Sequence, residues 1–425
     1  MMNNQQQNLE SHHYVQIDDE LCNGCVLCMK ACPTKAIRVR EGIVARIEGE
    51  CIDCGNCIRV CPRGAIKAIT TGSAVFKLDR YTTAASVSPV LYAQFGDDVL
   101  PNDVLLALKG MFSYVYDQSY TQELFNVAIG YYIRENRKKA NNPWPLISPI
   151  CPVVNRIIGY RFPSLLDHIP PIIAPREIVA RELKSRLIAK GKYGPEEIQV
   201  FHITPCSAKM ISINEPIFLK RSNLDGAIGI SEIYDIIKKQ IPKIDEDNVL
   251  HHSSGVGIGW AMSGGEVAGL DAGNNLAVSG MLETIRYLEK IEMGLLNDIE
   301  YVEFRACPEG CIGGPLTVED KYQAKHTLQR LVRMFGVEKR VKYAYVKKLY
   351  QEGWFSSDSK RILVENRRSS LSIQEGIRRQ EKVEEILRIV PKKECGVCGS
   401  PDCRTFAEDV IDGRTSVGNC IFVDN

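Results

Sequence analysis

The sequence predicts a multidomain protein of the mixed α+β and α/β class, with a large α/β domain between two small cysteine-rich ends. Two observations support this prediction. The 425 residues include 16 cysteines, and most of them lie near the ends of the chain. Between those ends, apolar segments of strand length alternate with amphipathic segments of helical period. The predicted domains are residues 1–78, 79–352 and 393–425, with a helical linker over residues 353–392.

Composition and charge exclude several classes of protein. The chain is 44% hydrophobic and 25% charged with a formal net charge of +1, which argues against nucleic acid as the main partner. It has no run of eighteen apolar residues, so no membrane span is expected. The polar segment "MMNNQQQNLESHH" lacks the apolar core of a signal peptide, so a cytoplasmic location is predicted. Cysteines in such a chain indicate metal or redox chemistry rather than disulfides.

The first cysteine block is an internal repeat of two segments, "CNGCVLCMKACP" and "CIDCGNCIRVCP", which begin 29 residues apart. Each has the spacing C-x2-C-x2-C-x3-C-P of bacterial ferredoxins, in which the fourth cysteine of each segment binds the other of two [4Fe–4S] clusters. A ferredoxin-like electron-transfer module is therefore predicted. Two zinc sites are the alternative, but zinc takes four local ligands and suits the crossed spacing less well. The predicted ligands are Cys22, Cys25, Cys28 and Cys61 for one cluster and Cys51, Cys54, Cys57 and Cys32 for the other.

The last cysteine block, near the end of the chain, has the spacing C-x2-C-x4-C-x16-C. It predicts a small C-terminal iron–sulfur domain with a third accessory [4Fe–4S] cluster, held by Cys395, Cys398, Cys403 and Cys420. The segment "TFAEDVIDGRT" between the third and fourth cysteines is predicted to be a helix. The pattern resembles the small iron–sulfur domain of corrinoid iron–sulfur proteins and of some electron-transport subunits. A zinc site is the alternative interpretation.

The four remaining cysteines lie far apart in the sequence, in "ISPICPVV", "ITPCSAKM" and "RACPEGC". The segments "IQVFHIT" and "DIEYVEF" are predicted strands that end just before Cys206 and Cys307. Open α/β sheets bind ligands at the carboxyl ends of their strands. The α/β domain is therefore predicted to fold around an inorganic centre, held by Cys151, Cys206, Cys307 and Cys311.

At these motifs the chain resembles the [FeFe]-hydrogenase family. The segments "SPICPVV", "TPCSAKM" and "EFRACPEGCIGGP" follow the order of the family's three cysteine motifs, and "WAMSGGEVAGL" and "SVSPVLYAQFG" resemble two further family segments. The resemblance implies an H-cluster, which is a [4Fe–4S] cube joined through Cys311 to a di-iron unit with CO, cyanide and azadithiolate. It also implies that Lys209 donates to a cyanide ligand, although an ordinary surface lysine is the alternative. Further cofactor contacts are expected from Pro89, Ile150 and Ser263, and Gly310, Gly313 and Gly314 are expected to allow close approach to the cofactor.

The chain departs from the family where protons would move. Ile150 stands at the position of the family's proton-relay cysteine, residues 125–128 contain no glutamate, and Thr204 and Arg305 replace methionines. Each proton-transfer group typically contributes about a hundredfold or more to the rate. Slow turnover is therefore expected, and the pattern resembles the family's sensory subgroup, in the form that lacks a PAS domain.

The predicted function is slow, H2-sensing hydrogenase activity, with heterolytic splitting of H2 and transfer of electrons along the [4Fe–4S] clusters. One alternative is an ordinary [FeFe]-hydrogenase that works with ferredoxin, and another is a non-catalytic hydrogenase-like iron–sulfur assembly protein. The expected partners are H2 and protons, a ferredoxin-type redox partner or signalling protein, and hydrogenase maturation proteins. The charged helix predicted in "LSIQEGIRRQEKVEEILRIVPKK" is interpreted as a solvated linker or as a partner interface, which would allow a homodimer.

Three other features receive simpler interpretations. The segment "GVGIGWAMSGG" does not match the dinucleotide-binding pattern G-x-G-x-x-G, so its glycines are predicted to allow close packing. His202 is interpreted as a buried or partly buried core residue of a strand. His251 is interpreted as either a solvated residue or a loop residue.

Overall fold

The computed structural model of the protein describes residues 13–40, 44–72, 75, 81–139, 142–245, 247–271, 273–357 and 372–423. These residues form two compact units. The first, here called the cluster unit, contains the described residues of 1–68 and 364–425, and the second, the central unit, contains those of 69–363. Residues 358–371 of the predicted linker lie outside the described residues, and the three predicted domain boundaries stay predictions.

The N-terminal part of the cluster unit is built from the sequence repeat. Strand β1 pairs antiparallel with β4, and β2 pairs antiparallel with β3. The repeat extends to the backbone, because left-handed φ angles at Gly24, Val26 and Lys35 recur 29 residues later at Asp53, Gly55 and Gly64. The elements are β1 (Val15–Ile17), α1 (Leu27–Ala31), β2 (Ile37–Arg40), β3 (Val44–Ile47), α2 (Asn56–Val60) and β4 (Ile66–Ala68).

The central unit contains two parallel sheets. One has the strand order β6-β5-β8-β9 and the other β10-β11-β7. The strands are β5 (Thr82–Val87), β6 (Tyr114–Asp117), β7 (Leu146–Ile147), β8 (Ile198–Thr204), β9 (Gly226–Gly229), β10 (Asn275–Ser279) and β11 (Tyr301–Arg305). Residues Val200–Thr204 of β8 are buried without alternation, as expected for a parallel strand that is covered on both faces. The two strands predicted to precede Cys206 and Cys307 are confirmed as β8 and β11.

Helices cover these sheets. They are α3 (Pro101–Lys109), α4 (Gln118–Asn136), α5 (Pro152–Arg161), α6 (Pro175–Ala189), α7 (Lys209–Asn214), α8 (Ile230–Gln240), α9 (Gly255–Gly259), α10 (Gly265–Ala268), α11 (Met281–Glu292), α12 (Lys321–Phe335) and α13 (Tyr343–Gln351). His251 lies in a loop, as one of its two interpretations expects, but it is not solvated: it is buried between Tyr92 and Phe335, and its Nδ1 lies 2.8 Å from Oδ2 of Asp117.

The C-terminal part of the cluster unit is a pair of packed helices, α14 (Ile373–Ile389) and α15 (Cys403–Ile411). Their shared core contains Val383, Leu387 and Phe406. The helix predicted between the last cysteines is therefore present as α15. Ile373 and Ile377 at the start of α14 remain exposed, and the partner interface proposed for this helix stays a prediction.

The glycine-rich segment "GVGIG" forms α9, which packs against α4 and α12 at backbone distance. A Cβ added to Gly257 would lie 2.2 Å from the carbonyl oxygen of Ser119, and one added to Gly255 would lie 2.4 Å from that of Val332. The prediction that these glycines allow close packing is confirmed.

Replacing Gly257 with alanine is expected to destabilise the central unit by about 1–3 kcal/mol, because the added methyl must displace the backbone of α4. The matched control is Gly130→Ala within α4, where the nearest atom to an added Cβ lies 4.0 Å away. That change is expected to be neutral or stabilising by roughly 0.5–1 kcal/mol. Chemical denaturation of both variants measures the difference, and equal effects of the two changes would contradict the packing argument.

Candidate functional site

Three small cavities in the cluster unit are each lined by four cysteines. One is lined by Cys22, Cys25, Cys28 and Cys61, the next by Cys32, Cys51, Cys54 and Cys57, and the third by Cys395, Cys398, Cys403 and Cys420. The structure thus brings together the three sets that the sequence spacing predicts, including the exchange of Cys32 and Cys61 between the two repeats. Their volumes are about 330, 340 and 360 Å³.

Apolar side chains enclose the two N-terminal cavities. Val39 and Ile66 line the cavity of Cys28, and Ile37 and Ile47 line that of Cys57. The pKa of the Cys28 thiol is raised to about 11, mainly by burial and also by the neighbouring Cys22 and Cys25, against the effect of backbone hydrogen bonds. Metal coordination is the usual way in which such buried thiols become thiolates. Within the described ranges, no three His, Cys, Asp or Glu side chains are close enough to share one metal ion.

The central unit contains a larger cavity, of about 730 Å³, which is lined by the four remaining cysteines Cys151, Cys206, Cys307 and Cys311. Of the predicted cofactor contacts, Lys209, Pro89 and Ile150 also line it. The volume is about twice that of each cavity in the cluster unit. This cavity therefore encloses more space than each of the three cysteine-lined cavities of the cluster unit.

The carboxyl ends of five parallel strands position the lining residues. Ser88 and Pro89 follow β5, Gln118 follows β6, Cys151 follows β7, Cys206 follows β8, and Cys307 follows β11. Parallel strands end at the same edge of a sheet, so residues distant in sequence meet there. Local contacts fix some of these loops, since the Cys206 N–H donates to Oγ1 of Thr204 over 3.1 Å.

The glycines around Cys307 and Cys311 allow loops of the protein to pack together. Gly310 has a φ of +96°, and an added Cβ would lie 2.4 Å from the backbone nitrogen of Ser263. A Cβ on Gly313 would lie 2.0 Å from the Pro308 carbonyl oxygen, and one on Gly314 would lie 2.3 Å from that of Pro205. These glycines therefore have a packing role within the protein. Gly314 also lines the cavity, and the expectation that the three glycines allow close approach to the cofactor stays a prediction.

Ser263 belongs to the loop on which Gly310 packs. Its N–H donates to the carbonyl oxygen of Glu309 over 2.9 Å, and Ser263 is not among the residues that line the cavity. The structure thus gives Ser263 a role in joining two loops, whereas the neighbouring Trp260 and Ala261 line the cavity. The predicted cofactor contact of Ser263 receives no support from this placement.

Three cations line the central cavity, namely the buried Arg176 and Arg305 and the partly buried Lys209. Burial, together with the charge of Arg176, lowers the pKa of Lys209 to about 8, although nearby thiolates oppose this shift. Burial also lowers the pKa of Arg176, against the charges of Glu177 and of the cavity thiolates. Burial raises the pKa of the Cys206 thiol to about 12, and Lys209 acts in the opposite direction. The positive charges therefore favour an anionic group in the cavity.

Two buried carboxylates hold Arg305 in place. Its Nη2 donates to Oε2 of Glu266 over 2.8 Å, and its Nε lies 3.5 Å from Oε1 of Glu303. Glu266 also accepts from the hydroxyls of Ser148 and Tyr301. Burial opposes the charge on Arg305, but the two carboxylates outweigh it and raise its pKa. Arg305, which is 1% exposed, is therefore a fixed cation at the cavity wall.

Several polar atoms at the cavity have no hydrogen-bond partner within the described part of the chain. They include Oε1 of Gln118, Oε1 of Gln122 and Nε of Arg176. Buried polar atoms are rarely left in this state, so a bound group that supplies partners fits the site. His202 also lines the cavity, and burial, with the charges of Lys209 and Arg176, lowers its pKa well below the usual value. The interpretation of His202 as buried is confirmed.

Sequence reasoning missed Arg176, Gln118 and Gln122. The two glutamines are four residues apart on α4, directly after β6, and that spacing places both on one face of the helix. Recognising β6 would have indicated that this face meets the other strand ends. Glu123, next to Gln122, serves the fold instead, because it accepts hydrogen bonds from Ser253 and Ser254.

Three family models match the chain. The model described as "Iron only hydrogenase large subunit, C-terminal domain" matches residues 81–274. A "4Fe-4S dicluster domain" model matches residues 14–62, and a model described as "Putative Fe-S cluster" matches residues 390–422. The iron–sulfur character predicted for both ends of the chain is therefore confirmed.

Relatives and solved structures agree with these matches. The chain is 25% identical over 361 residues to the periplasmic [Fe] hydrogenase large subunit of Nitratidesulfovibrio vulgaris, covering 71% of this chain and 86% of that protein. It is 24% identical over 324 residues to the NADP-reducing hydrogenase subunit HndD of Solidesulfovibrio fructosivorans, covering 62% and 55%. A variant of the [FeFe]-hydrogenase HydA1 from Chlamydomonas reinhardtii aligns with a TM-score of 0.55 and 16% identity, covering 68% of this chain and 98% of that one.

The structural alignment and the cysteine-lined cavity define a protein with the hydrogenase fold. The hydrogenase family model over residues 81–274 and the curated relatives agree with this fold: the central part of the chain is similar to the [FeFe]-hydrogenase family. Among the helices that the structure describes, none has the length and apolar character needed to cross a bilayer. The cytoplasmic location stays a prediction, since the Nitratidesulfovibrio relative is named as periplasmic.

Iron analysis tests the cysteine sets and separates clusters from zinc. Replacing Cys420 with alanine is expected to remove about four irons per chain, because each [4Fe–4S] cluster needs four thiolate ligands. The matched control Asn419→Ala changes the adjacent exposed residue and should retain them. Loss of about one zinc with no loss of iron would instead assign the C-terminal set to zinc.

Proposed function

We propose that the protein is an [FeFe]-hydrogenase that splits H2 heterolytically at an H-cluster and passes the electrons to [4Fe–4S] clusters. The observation that carries the proposal is the central cavity. Four cysteines from three distant loops line it together with Lys209, and its volume of about 730 Å³ compares with about 330–360 Å³ for the three other cysteine-lined cavities. Similarity to the [FeFe]-hydrogenase family supports the same function.

When bound, the H-cluster supplies an open iron site for H2 and an amine that accepts a proton. This chain would hold the cofactor through Cys151, Cys206, Cys307 and Cys311, which all line the cavity. The family resemblance implies that Cys311 would also be a ligand of the di-iron unit. Lys209, with a pKa of about 8, remains mainly protonated at pH 7 and can donate to a cyanide ligand. The chain thus provides the thiolates, the hydrogen-bond donor and a buried site.

The three cations that line the central cavity favour binding of an anionic cofactor. Arg176, Lys209 and Arg305 approach the site from α6, α7 and β11. A charge in a site of low polarity acts more strongly than one in water, so these three groups offset the repulsion among four thiolates. Arg305 is itself held by Glu266 and Glu303, so it does not have to reorganise when the cofactor changes charge.

We infer that turnover is slow and suits H2 sensing. Ile150 lines the cavity and is 8% exposed, so the position next to Cys151 carries no proton-transfer group. The α4 side chains that line the cavity are Gln118 and Gln122, which are neutral amides. Proton exchange with the cofactor amine would then lack the usual acid–base groups on this side, and a reduced state would persist.

The two alternatives differ from this proposal in measurable ways. An ordinary [FeFe]-hydrogenase that works with ferredoxin would oxidise H2 rapidly, and a direct H2 oxidation assay with a one-electron acceptor distinguishes it. A non-catalytic assembly protein would need only the cube. The central cavity has about twice the volume of each other cysteine-lined cavity, and three cations line it. Both features favour a larger anionic cofactor over that alternative.

Infrared spectroscopy tests the proposed cofactor directly. Protein matured anaerobically with hydrogenase maturation proteins is expected to show bands of CO and cyanide ligands that shift between argon and H2. Protein made without the maturation proteins is the control and should lack these bands while retaining its iron–sulfur absorption. Absence of the bands after maturation would contradict the assignment of an H-cluster.

The variant Ile150→Cys tests the origin of slow turnover. A thiol at this position lies at the cavity wall and is expected to raise H2 oxidation about tenfold or more, since one proton-transfer group typically contributes a hundredfold and the other groups stay absent. The matched control Ile150→Val keeps the position apolar and should leave the rate unchanged. Equal rates in both variants would indicate that another step limits turnover.

A further inference from the structure

The two ends of the chain meet inside the cluster unit around a buried ion pair. Arg38 donates from Nε to Oδ2 of Asp409 over 2.6 Å and from Nη2 to Oδ1 over 3.1 Å, and the two side chains are 4% and 1% exposed. Arg40 and Ser400 also bind Oδ2 of Asp409. Separating such a pair leaves a charge unpaired in the interior, so this contact fixes how the two ends pack.

Backbone contacts bring the two cysteine loops together beside this ion pair. The Val39 N–H donates to the carbonyl oxygen of Gly399 over 3.0 Å, and a Cβ added to Gly399 would lie 2.4 Å from the Val39 carbonyl oxygen. The Lys30 ammonium donates to the carbonyl oxygens of Glu394 and Pro401 over 2.6 and 2.8 Å. These two carbonyls flank the first two C-terminal cysteines, so a cation of the N-terminal module lies beside the C-terminal cysteine set.

Two of these contacts lead to the cavity of Cys28. Gly396 lies between Cys395 and Cys398, and a Cβ added to it would lie 3.1 Å from Cε of Met29, the residue after Cys28. Gly399 follows Cys398 and binds Val39, which lines the cavity of Cys28. The C-terminal cysteine loop is therefore connected to the cavity of Cys28 by the Met29 side chain and by the hydrogen bond between Val39 and Gly399.

We propose that the C-terminal cysteine set is a fixed redox partner of the site formed by Cys22, Cys25, Cys28 and Cys61. One electron leaves a reduced [4Fe–4S] cluster at one site and reduces the cluster at the other. No proton is transferred, and no covalent bond forms or breaks. A low-potential one-electron reductant, dithionite in the test, supplies the electron. The inference rests on the iron–sulfur part of the proposed function and is independent of the di-iron unit.

The test uses the full chain, reconstituted with iron and sulfide without maturation proteins and reduced with dithionite. Electron paramagnetic resonance is expected to show magnetic coupling that involves the C-terminal cluster. The variant Cys420→Ala, which lacks this cluster, should show only the interaction between the two N-terminal clusters. If the parent spectrum equals that of Cys420→Ala plus an isolated, uncoupled cluster, the proposal is overturned.

A second comparison tests the docking contact itself. Gly399→Ala should keep the C-terminal irons but lose most of the coupling, because its methyl group cannot fit against Val39. The matched control Gly413→Ala has the same left-handed strain, with a φ of +70°, but an added Cβ meets no atom within 4 Å, so its coupling should be unchanged. Full coupling in Gly399→Ala would count against the proposed route, and the parent comparison stands even if this variant folds poorly.

A third comparison identifies the partner cluster. Cys25 and Cys54 are equivalent in the two repeats, so serine at each changes the spectrum of one N-terminal cluster. The coupling that disappears in Cys420→Ala should change in Cys25→Ser and not in Cys54→Ser, and the reverse result would overturn the assignment. A chain without iron at the C-terminal set would overturn the cluster assignment as well, whereas full iron without coupling overturns this inference alone.

Discussion

The central unit depends on the stabilisation of negative charge in a buried site. Four thiols at strand ends cannot ionise easily there, and burial raises the pKa of both Cys206 and Cys311. Three cations at the cavity favour the ionised thiols. Two of these cations have a buried acidic group beside them, namely Glu266 beside Arg305 and Glu177 beside Arg176. Negative thiolates, positive side chains and negative carboxylates therefore follow one another outward from the cavity. Removing any of these groups would leave another charge unpaired in the interior.

Much of this architecture could be predicted from the sequence because metal-ligand spacing is local. The crossed pairing of Cys32 and Cys61 follows from two short segments, and β8 and β11 follow from apolar runs that end at a cysteine. The sequence also indicated that the "GVGIG" glycines pack closely, since no nucleotide pattern surrounds them. In each case the information lies within about ten residues.

What could not be predicted depends on convergence of distant segments. Arg176 lies in the first turn of α6, and only the meeting of this helix with the strand ends places its guanidinium at the cavity. His251 follows a polar loop, yet Asp117 from β6 pairs with it in the core. The packing role of the glycines near Cys311 could not be predicted, because their contacts with Pro205 and Ser263 come from other loops. No local pattern contains these partners.

The four cysteine sets differ less in their ligands than in what surrounds them. The three sets of the cluster unit enclose similar small volumes, and apolar residues and loop backbone dominate their linings. The set in the central unit encloses about twice that volume and adds Arg176, Lys209 and Arg305 together with two amides. A site for electron transfer needs a fixed cluster and little else, whereas a site for chemistry needs room for a substrate and charges that are already oriented. Under the proposed function, a set of four cysteines would serve electron transfer where its cavity is small, and reaction where its cavity is larger and lined by charged side chains.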